Sequence, residues 1–197
     1  MRIVELLGSP RPRGNTANVL DLFEEALGPG HEIERIVLDR RDLKGCLGCN
    51  ACQRVLDAPG CVRGDEGLAI FEEMLRADLL VYATPLYCWS YSAQLKMLID
   101  RHFCLCKWDA PEAPLSLLAG RRAALLVTCA DAVEGNADLL PALFERQAKV
   151  CHCDLVGCYV VAGCGQPPEL PPEARVIAMR MAQDVGARWT WPRGSCR

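Results

Sequence analysis

The chain has 197 residues, of which 51% are hydrophobic and 24% charged, and its formal net charge is −3. These proportions are typical of a globular domain and exclude a disordered or fibrous chain. The 22 basic residues form no run and are balanced by 25 acidic ones, so we expect no nucleic-acid partner. The 13 cysteines are many, yet fewer than the roughly 8–10% typical of a small secreted disulfide scaffold.

The apolar stretches favour a cytoplasmic protein. Residues 3–7 are followed directly by Gly8-Ser9-Pro10 and include Glu5, so they do not resemble a secretory segment. The longest uncharged stretch, residues 79–95, contains Pro85 and several polar side chains and is shorter than the ~20 apolar residues of a membrane helix. We therefore expect no membrane partner, and thiols that are free, metal-bound or redox-active.

Strand and helix patterns alternate along the chain. Short runs rich in Val, Ile, Leu and Tyr predict five buried strands at residues 3–7, 33–38, 79–83, 123–127 and 156–161. Helical periodicity follows at residues 19–27, 67–77, 95–103, 137–150 and 173–188. This alternation predicts an α/β fold with a parallel sheet covered on both faces, in one domain over residues 1–190 with a tail at 191–197.

The loop after the first strand is typical of an anion site. Residues 8–16 follow a strand and open a helix, so backbone N–H groups and the positive helix end converge there. The side chains available to a phosphate are Ser9, Arg11, Arg13, Asn15 and Thr16. The loop lacks the Walker lysine and the GxGxxG fingerprint. The alternative is a plain polar turn.

A second loop, residues 84–91, is unusually aromatic and follows the third strand. In a sheet of order 2-1-3-4-5, strands one and three are neighbours at the crevice where ligands bind. A ligand with a phosphate and a planar ring, such as FMN, fits this pair of loops, although aromatic packing against a neighbouring subunit is the alternative. The second loop offers Thr84, Pro85, Leu86, Tyr87 and Trp89, and a third loop after the fourth strand, with Cys129 and Asp131, is expected to border the ring of the ligand. Asn136, in that third loop, is interpreted as a helix N-cap.

Four cysteines lie close together after the second strand. Cys46, Cys49, Cys52 and Cys61 form the pattern C-x2-C-x2-C-x8-C, in a loop over residues 45–62. Three closely spaced thiolates with a fourth nearby favour a [4Fe–4S] cluster over zinc, which usually takes two separated knuckles. Zinc binding and free or reversibly oxidised thiols remain as alternatives. Most other cysteines are interpreted as small apolar core residues, and Cys151-His152-Cys153 as a helix end entering the last strand.

Taken together, these motifs resemble those of the flavodoxin-like NADPH-dependent FMN reductases, and within them the iron–sulfur flavoproteins. The matching segments are Gly8-Ser9-Pro10-Arg11 with Gly14-Asn15-Thr16, the cysteine loop with Asp65-Glu66, Ala77-Asp78, Thr84-Pro85-Leu86-Tyr87, and Leu95-Lys96 with Ile99-Asp100-Arg101. The resemblance implies a three-layer sandwich that binds FMN non-covalently through the two loops. It also implies a homodimer or homotetramer, with a cluster near the subunit interface that passes electrons to a flavin.

The function expected from these features is a flavin-dependent oxidoreductase with FMN, a [4Fe–4S] cluster, and NAD(P)H or a ferredoxin-like protein as electron donor. The cofactor carries out the redox chemistry, so no catalytic acid or base is assigned. Lys96, Asp100 and Arg101 are interpreted as ion-pairing residues on a helix face. The alternatives are a non-enzymatic electron carrier, and a flavin-binding module in which the cysteine loop holds zinc or free thiols.

Overall fold

Five strands form one parallel sheet. The computed structural model describes residues 1–111 and 114–187. Its strands are β1 (Arg2–Leu7), β2 (Glu32–Val37), β3 (Leu79–Pro85), β4 (Cys106–Lys107), β5 (Leu115–Ser116), β6 (Arg122–Thr128) and β7 (Asp154–Val161). The sheet has the order β2-β1-β3-β6-β7 with every pair parallel, while β4 and β5 form a separate small antiparallel pair. The predicted order 2-1-3-4-5 is therefore confirmed, whereas the β4–β5 pair was not predicted from the sequence.

Helices cover both faces of the sheet. They are α1 (Asn15–Leu27), α2 (Gly67–Arg76), α3 (Ala93–Asp100), α4 (Leu139–Val150) and α5 (Glu173–Gly186). Apolar residues of α1 and α5 form one core against the sheet, and those of α2, α3 and α4 form a second core on the opposite face. This is the predicted three-layer sandwich. No helix in the described part of the chain is long and apolar enough to cross a membrane.

The prediction that all five strands are buried is wrong for the two outer ones. In β2 only Ile36 is buried, and in β7 only Tyr159 and Val161, whereas β1, β3 and β6 are buried almost throughout. Both outer strands lie at an edge of the sheet, where a neighbour is present on one side only. An apolar run in the sequence therefore identified the strands but not their positions in the sheet.

Several segment ends differ from the predicted ones. The third helix ends at Asp100, three residues early, and continues as a 3₁₀ turn over Arg101–Cys104. Asn136 does not cap α4: it lies in the irregular turn Val133–Ala137, and its Nδ2 donates to the carbonyl of Ala132 at 3.0 Å. The positive φ of Gly135 (68°) bends this turn and delays the helix. The predicted last turn at residue 188 and the tail at 191–197 lie outside the described residues.

Candidate functional site

The chain turns tightly where β1 meets the phosphate loop, which we define as residues 8–14. The Gly8 N–H donates to the carbonyl of Ala83 at 2.8 Å, and Ser92 Oγ donates to the carbonyl of Gly8 at 2.7 Å. A Cβ at Gly8 would lie 2.7 Å from Ser92 Oγ and 2.8 Å from Leu95 Cβ. Only glycine fits here, so the backbone of the phosphate loop lies directly on the ends of β3 and α3.

The N-terminus of α1 is open. No side chain in the described chain caps it at Gly14, and its first turn contains no acidic residue. Asn15 Nδ2 donates to the carbonyl of Gly165 at 2.8 Å, whereas Asn15 Oδ1 is buried without a partner among the described residues. Arg11 and Arg13 are exposed beside this helix end. Free backbone N–H groups, the helix dipole and two guanidinium groups thus favour an anion.

Two of the predicted phosphate contacts are engaged within the fold. Ser9 is buried, and its Oγ accepts the N–H of Arg11 at 3.1 Å. Thr16 is buried as well, and its hydroxyl shares a 2.7 Å hydrogen bond with that of Thr128. These hydroxyls hold the loop and the strand ends together, which leaves the backbone, Asn15 and the arginines as the groups open to a ligand.

The aromatic loop, residues 86–91, follows β3 and contains a strained turn. The backbones of Tyr87 and Ser90 exchange hydrogen bonds of 3.1 and 3.0 Å around Cys88 and Trp89. Both central residues have positive φ, 48° and 59°, a conformation that usually selects Asn and Gly. Tyr87 and Trp89 are 43% and 65% exposed. The turn therefore presents two aromatic rings at the carboxyl edge of the sheet.

Thr84, Pro85 and Leu86 lead from β3 into that turn. Thr84 is fully buried, and its hydroxyl accepts the N–H of Ser92 at 3.0 Å and donates to the carbonyl of Pro85 at 2.8 Å. The Leu86 N–H donates to the carbonyl of Thr128 at 2.8 Å. Thr84 thus shapes the start of the loop, while Pro85 and Leu86 are half-buried at its base.

The third loop begins at Cys129, beside the aromatic loop. Cys129 is buried; its N–H donates to the carbonyl of Val161 and its carbonyl accepts the N–H of Cys164, both at 3.0 Å. Its thiol donates to the carbonyl of Asp131 at 3.3 Å, and Asp131 itself is exposed. The three loops follow β1, β3 and β6, which are adjacent in the sheet, so the predicted FMN contacts share one edge.

The four cysteines of the cysteine loop line one cavity, which is partly open to solvent. Cys46 and Cys49 are exposed, Cys52 is buried and Cys61 is half-buried. A short 3₁₀ turn, Ala51–Arg54, holds Cys52 in place. Across the described residues, no three Cys, His, Asp or Glu side chains are close enough together to hold a metal ion. The fold thus brings the four thiols to one cavity without placing three of them together around one metal position.

Arg101, Phe103 and Cys104 line the cavity from a second segment of the chain, which was not predicted. We define the segment that contains them, residues 101–107, as the floor. Gln53, buried in the cysteine loop, connects the loop to the floor. Its Nε2 donates to the carbonyls of Phe103 at 2.7 Å and Cys106 at 3.1 Å, and its Oε1 accepts the N–H of Trp108 at 2.8 Å. A neutral amide therefore satisfies the backbone groups where loop and floor meet.

Lys107 lies beneath the cysteine loop and is fully buried. Its ammonium donates to the carbonyls of Cys52 at 3.0 Å and Pro59 at 3.1 Å, near the two ends of the eight-residue segment that precedes Cys61. Burial lowers the pKa of Lys107, and the thiols of Cys104 and Cys52 oppose that effect. No carboxylate of the described chain lies within ion-pair distance of this ammonium.

Arg101 forms an ion pair as predicted, but the prediction that it lies on a helix face is wrong, because it is buried in the turn after α3. It is 1% exposed, and its Nη1 pairs with the buried Asp65 Oδ2 at 2.6 Å, while its Nη2 donates to Cys61 Sγ at 3.4 Å. A Cβ at Gly67 would overlap this guanidinium, so glycine is required there. Burial acts to raise the pKa of Asp65, but hydrogen bonds from Arg101 and from backbone N–H groups outweigh it and lower that pKa.

The other two ion-pairing residues behave as predicted, because Lys96 Nζ and Asp100 Oδ1 lie 2.5 Å apart on α3 and both side chains are about half exposed.

Cys104, interpreted as an apolar core residue, is buried but also lines the cysteine cavity. Burial raises its pKa to about 12. Its spacing of three from Arg101 is the one sequence signal for this position, since a 3₁₀ turn aligns residues i and i+3.

Most of the remaining cysteines in the described part of the chain pack in or against the core as predicted, whereas Cys88 is exposed. Cys151 follows the last residue of α4 and β7 begins at Asp154, so the Cys-His-Cys triplet is the expected helix end. Cys151 is buried against Cys106, with 3.6 Å between the two sulfur atoms. Cys164 is buried in the core between α1, α5 and the sheet.

A parallel sheet of order 2-1-3-4-5, with its polar, aromatic and cysteine-containing loops at the carboxyl ends of the strands, defines a flavodoxin-like α/β protein. The sequence model of the NADPH-dependent FMN reductases matches residues 1–157. The chain belongs to this family.

Individual relatives agree with this assignment. An iron–sulfur flavoprotein of Methanocaldococcus jannaschii is 40% identical over 105 residues, which cover 51% of each chain. One of Methanosarcina thermophila is 34% identical over 106 residues, covering 53% of this chain and 54% of that protein. The chain thus spans about half the length of the curated relatives it matches.

Solved structures share the fold at low sequence identity. An NAD(P)H:quinone oxidoreductase from Methanothermobacter marburgensis has a TM-score of 0.72 and 19% identity, covering 98% of this chain and 99% of that one. An FMN-dependent NADH-azoreductase from Bacillus anthracis, solved in complex with FMN, has a TM-score of 0.66 and 15% identity, covering 95% and 100%. At such identities the likeness concerns the fold alone.

Proposed function

We propose that the protein is an FMN-dependent oxidoreductase that moves electrons between NAD(P)H or a ferredoxin-like donor and an acceptor, with a [4Fe–4S] cluster as its second cofactor. The observation that carries the proposal is the open N-terminus of α1 beside two exposed aromatic rings, at the carboxyl edge of β1 and β3. Membership of the FMN reductase family supports it. Bound FMN supplies the hydride and single-electron chemistry, and the protein supplies binding and orientation.

The residues around the phosphate loop fit FMN. Backbone N–H groups of the first turn of α1, with Arg11 and Arg13, would hold the phosphate. The unpaired Oδ1 of Asn15 is an acceptor for a hydroxyl group of the ribityl chain. Tyr87 and Trp89 offer ring faces for stacking on the flavin.

The donor chemistry of the cysteine cavity fits an iron–sulfur cluster. Thiolates are the ligands of such clusters, and Cys46, Cys49, Cys52 and Cys61 all line the cavity. The names of the iron–sulfur flavoproteins that the chain resembles support the assignment. The cluster supplies one-electron transfer, and the buried Cys52 and half-buried Cys61 give it two anchoring positions next to the core.

Flavin binding is tested by absorption spectroscopy of the anaerobically purified chain after incubation with FMN. We expect a bound flavin, and at least tenfold weaker binding in Arg11→Glu with Arg13→Glu, because charge-assisted hydrogen bonds contribute about 1.5–3 kcal/mol each. Arg146→Glu is the control, since this exposed arginine lies on α4, on the opposite face of the sheet from α1. A chain that binds no FMN, or binds it equally well in all variants, contradicts the proposed site.

The reductase activity is tested by mixing the FMN-loaded protein anaerobically with NADH or NADPH. Loss of flavin absorbance with either nucleotide supports the proposal. If neither nucleotide reduces the flavin and reduced ferredoxin does, the protein is an electron carrier and the reductase assignment is wrong.

The cluster is tested by iron, zinc and acid-labile sulfide analysis of the anaerobically purified protein. We expect iron and sulfide in equal amounts, and their loss in Cys49→Ser. Cys88→Ser is the matched control, because Cys88 is equally an exposed thiol but lies in the aromatic loop, outside the cavity. Zinc in place of iron, or iron content unchanged in Cys49→Ser, would contradict the ligand assignment.

A further inference from the structure

The buried ammonium of Lys107 is an unusual feature of the cysteine cavity. Removing an ammonium group from water costs several kcal/mol unless charge and hydrogen bonds compensate it. Lys107 is fully buried, and two of its three N–H groups are matched by the carbonyls of Cys52 and Pro59. The carbonyl groups satisfy its hydrogen bonds but do not neutralise its positive charge.

The need to bind carbonyl groups does not explain a charged residue at this position. One residue after Cys52, Gln53 performs the same task for the carbonyls of Phe103 and Cys106 with a neutral amide. A charge at position 107 therefore costs more than the local backbone contacts require. Something anionic near Lys107 would offset that cost.

The other buried cation of the floor is already neutralised. Arg101 forms its ion pair with Asp65, and both side chains are at most 1% exposed. Of the two buried cations of the floor, Lys107 is therefore the one without an ion-pair partner in the described chain, and its ammonium donates to the carbonyl of Cys52. Arg63 also lines the cavity, but it is only partly buried. The wall of the cavity includes the four thiols of the cysteine loop, and a cluster with four thiolate ligands carries net negative charge.

We infer that Lys107 is the counter-charge of the iron–sulfur group in the cysteine cavity, a positioning residue that stabilises the bound cluster and favours its reduced form. This inference rests on the proposed cluster. A cation in a water-poor site interacts more strongly with the more negative state of a neighbouring redox group, because the effective dielectric constant there is low. Removing the charge should thus weaken cluster retention and lower its reduction potential.

The test compares the anaerobically reconstituted protein with Lys107→Met, Lys107→Arg and the control Lys96→Met, whose lysine is half exposed on α3. Iron and sulfide content, the rate of iron loss to a chelator, and the reduction potential are measured on the loaded protein. The melting temperature is measured on the iron-free protein. We expect Lys107→Met to lose iron at least tenfold faster and to bind the reduced cluster tenfold more weakly relative to the oxidised one, which for one electron is a fall of about 59 mV.

Lys107→Arg and Lys96→Met should keep the wild-type rate of iron loss and the wild-type reduction potential. The melting temperature of iron-free Lys107→Met should be no lower than that of the iron-free wild type, because the substitution removes a costly buried charge. An unchanged potential in Lys107→Met overturns the inference. A lower melting temperature of iron-free Lys107→Met with an unchanged potential assigns Lys107 to the fold alone. If the wild-type protein takes up no iron and sulfide, the proposed cluster itself fails; if it does and the variants do not differ, only the role of Lys107 fails.

Discussion

Replacing Asp65 with Asn should strongly destabilise the protein. The substitution keeps the size of the side chain and one acceptor oxygen, but it removes the charge that pairs with Arg101 at 2.6 Å. Because Arg101 is 1% exposed, its guanidinium would remain buried without a counter-ion. Breaking a buried ion pair in this way costs about 3–5 kcal/mol, a large part of the ~5–15 kcal/mol that typical domains have.

Urea unfolding of the iron-free protein measures this loss. With a denaturant dependence of about 2 kcal/mol per molar urea, the midpoint should fall by roughly 1.5–2.5 M. Asp100→Asn is the matched control: it breaks the 2.5 Å pair with Lys96, which is about half exposed, and should cost about 0.3–0.5 kcal/mol. If Asp65→Asn costs no more than this control, the assignment of a buried, stabilising pair is wrong.

The same pair determines how the protein responds to acid. The pKa of Asp65 is lowered in the folded state, because the hydrogen bonds from Arg101 and the backbone outweigh the effect of burial. Its contribution is therefore complete above the unfolded value of about 3.9 and is lost as the pH falls through the lower folded value. This acid-dependent loss should be absent from Asp65→Asn, and an identical acid profile in both proteins would contradict the linkage.

Three further changes follow from buried or strained groups. Burial raises the pKa of Glu5 to about 8 although Arg35 opposes it, so the contribution of Glu5 to stability should be complete below about pH 4.5 and be lost as the pH rises through about 8; the change in melting temperature across this range should be smaller in Glu5→Gln. Replacing Cys88 by Asn and Trp89 by Gly should stabilise the FMN-free protein by about 1 kcal/mol or more in urea unfolding, because each non-glycine residue at positive φ costs about 1–2 kcal/mol; a loss of stability would show that the turn is not strained. Ser92→Ala should cost about 1–2 kcal/mol in the same assay, since this buried hydroxyl caps α3 and also bonds to the phosphate loop, and a cost near zero would contradict both roles.

The fold was predictable because its signals are local. Each strand is a short apolar run, each helix has its own periodicity, and the order of alternation specifies a parallel sheet. The partial exposure of β2 and β7 was not predictable from their apolar runs, because exposure there depends on which strands are neighbours in the sheet. The end of α3 was missed for a similar reason: His102 and Phe103 continue the helical spacing but lie in a 3₁₀ turn.

The candidate site likewise contains parts that could be predicted from local sequence and parts that could not. The loops of the FMN site and the cysteine motif are contiguous in sequence, so their chemistry was visible there. The floor of the cysteine cavity is made by pairs far apart in the chain: Asp65 and Arg101 are separated by 36 positions, and Lys107 and Cys52 by 55. A charged residue in a sequence is normally exposed, so neither Arg101 nor Lys107 suggested a buried role.

The short helix α3 joins the two candidate cofactor sites. Ser92, at its first turn, bonds to the carbonyl of Gly8 in the phosphate loop, and Arg101, directly after its last residue, bonds to the sulfur of Cys61. Eight helical residues span about 12 Å. The separation of the two candidate sites within one chain is therefore set by the number of residues in one helix. Inserting a single residue into α3 would turn its two ends by about 100° relative to each other and displace the phosphate loop from the cysteine loop without altering any residue of either loop.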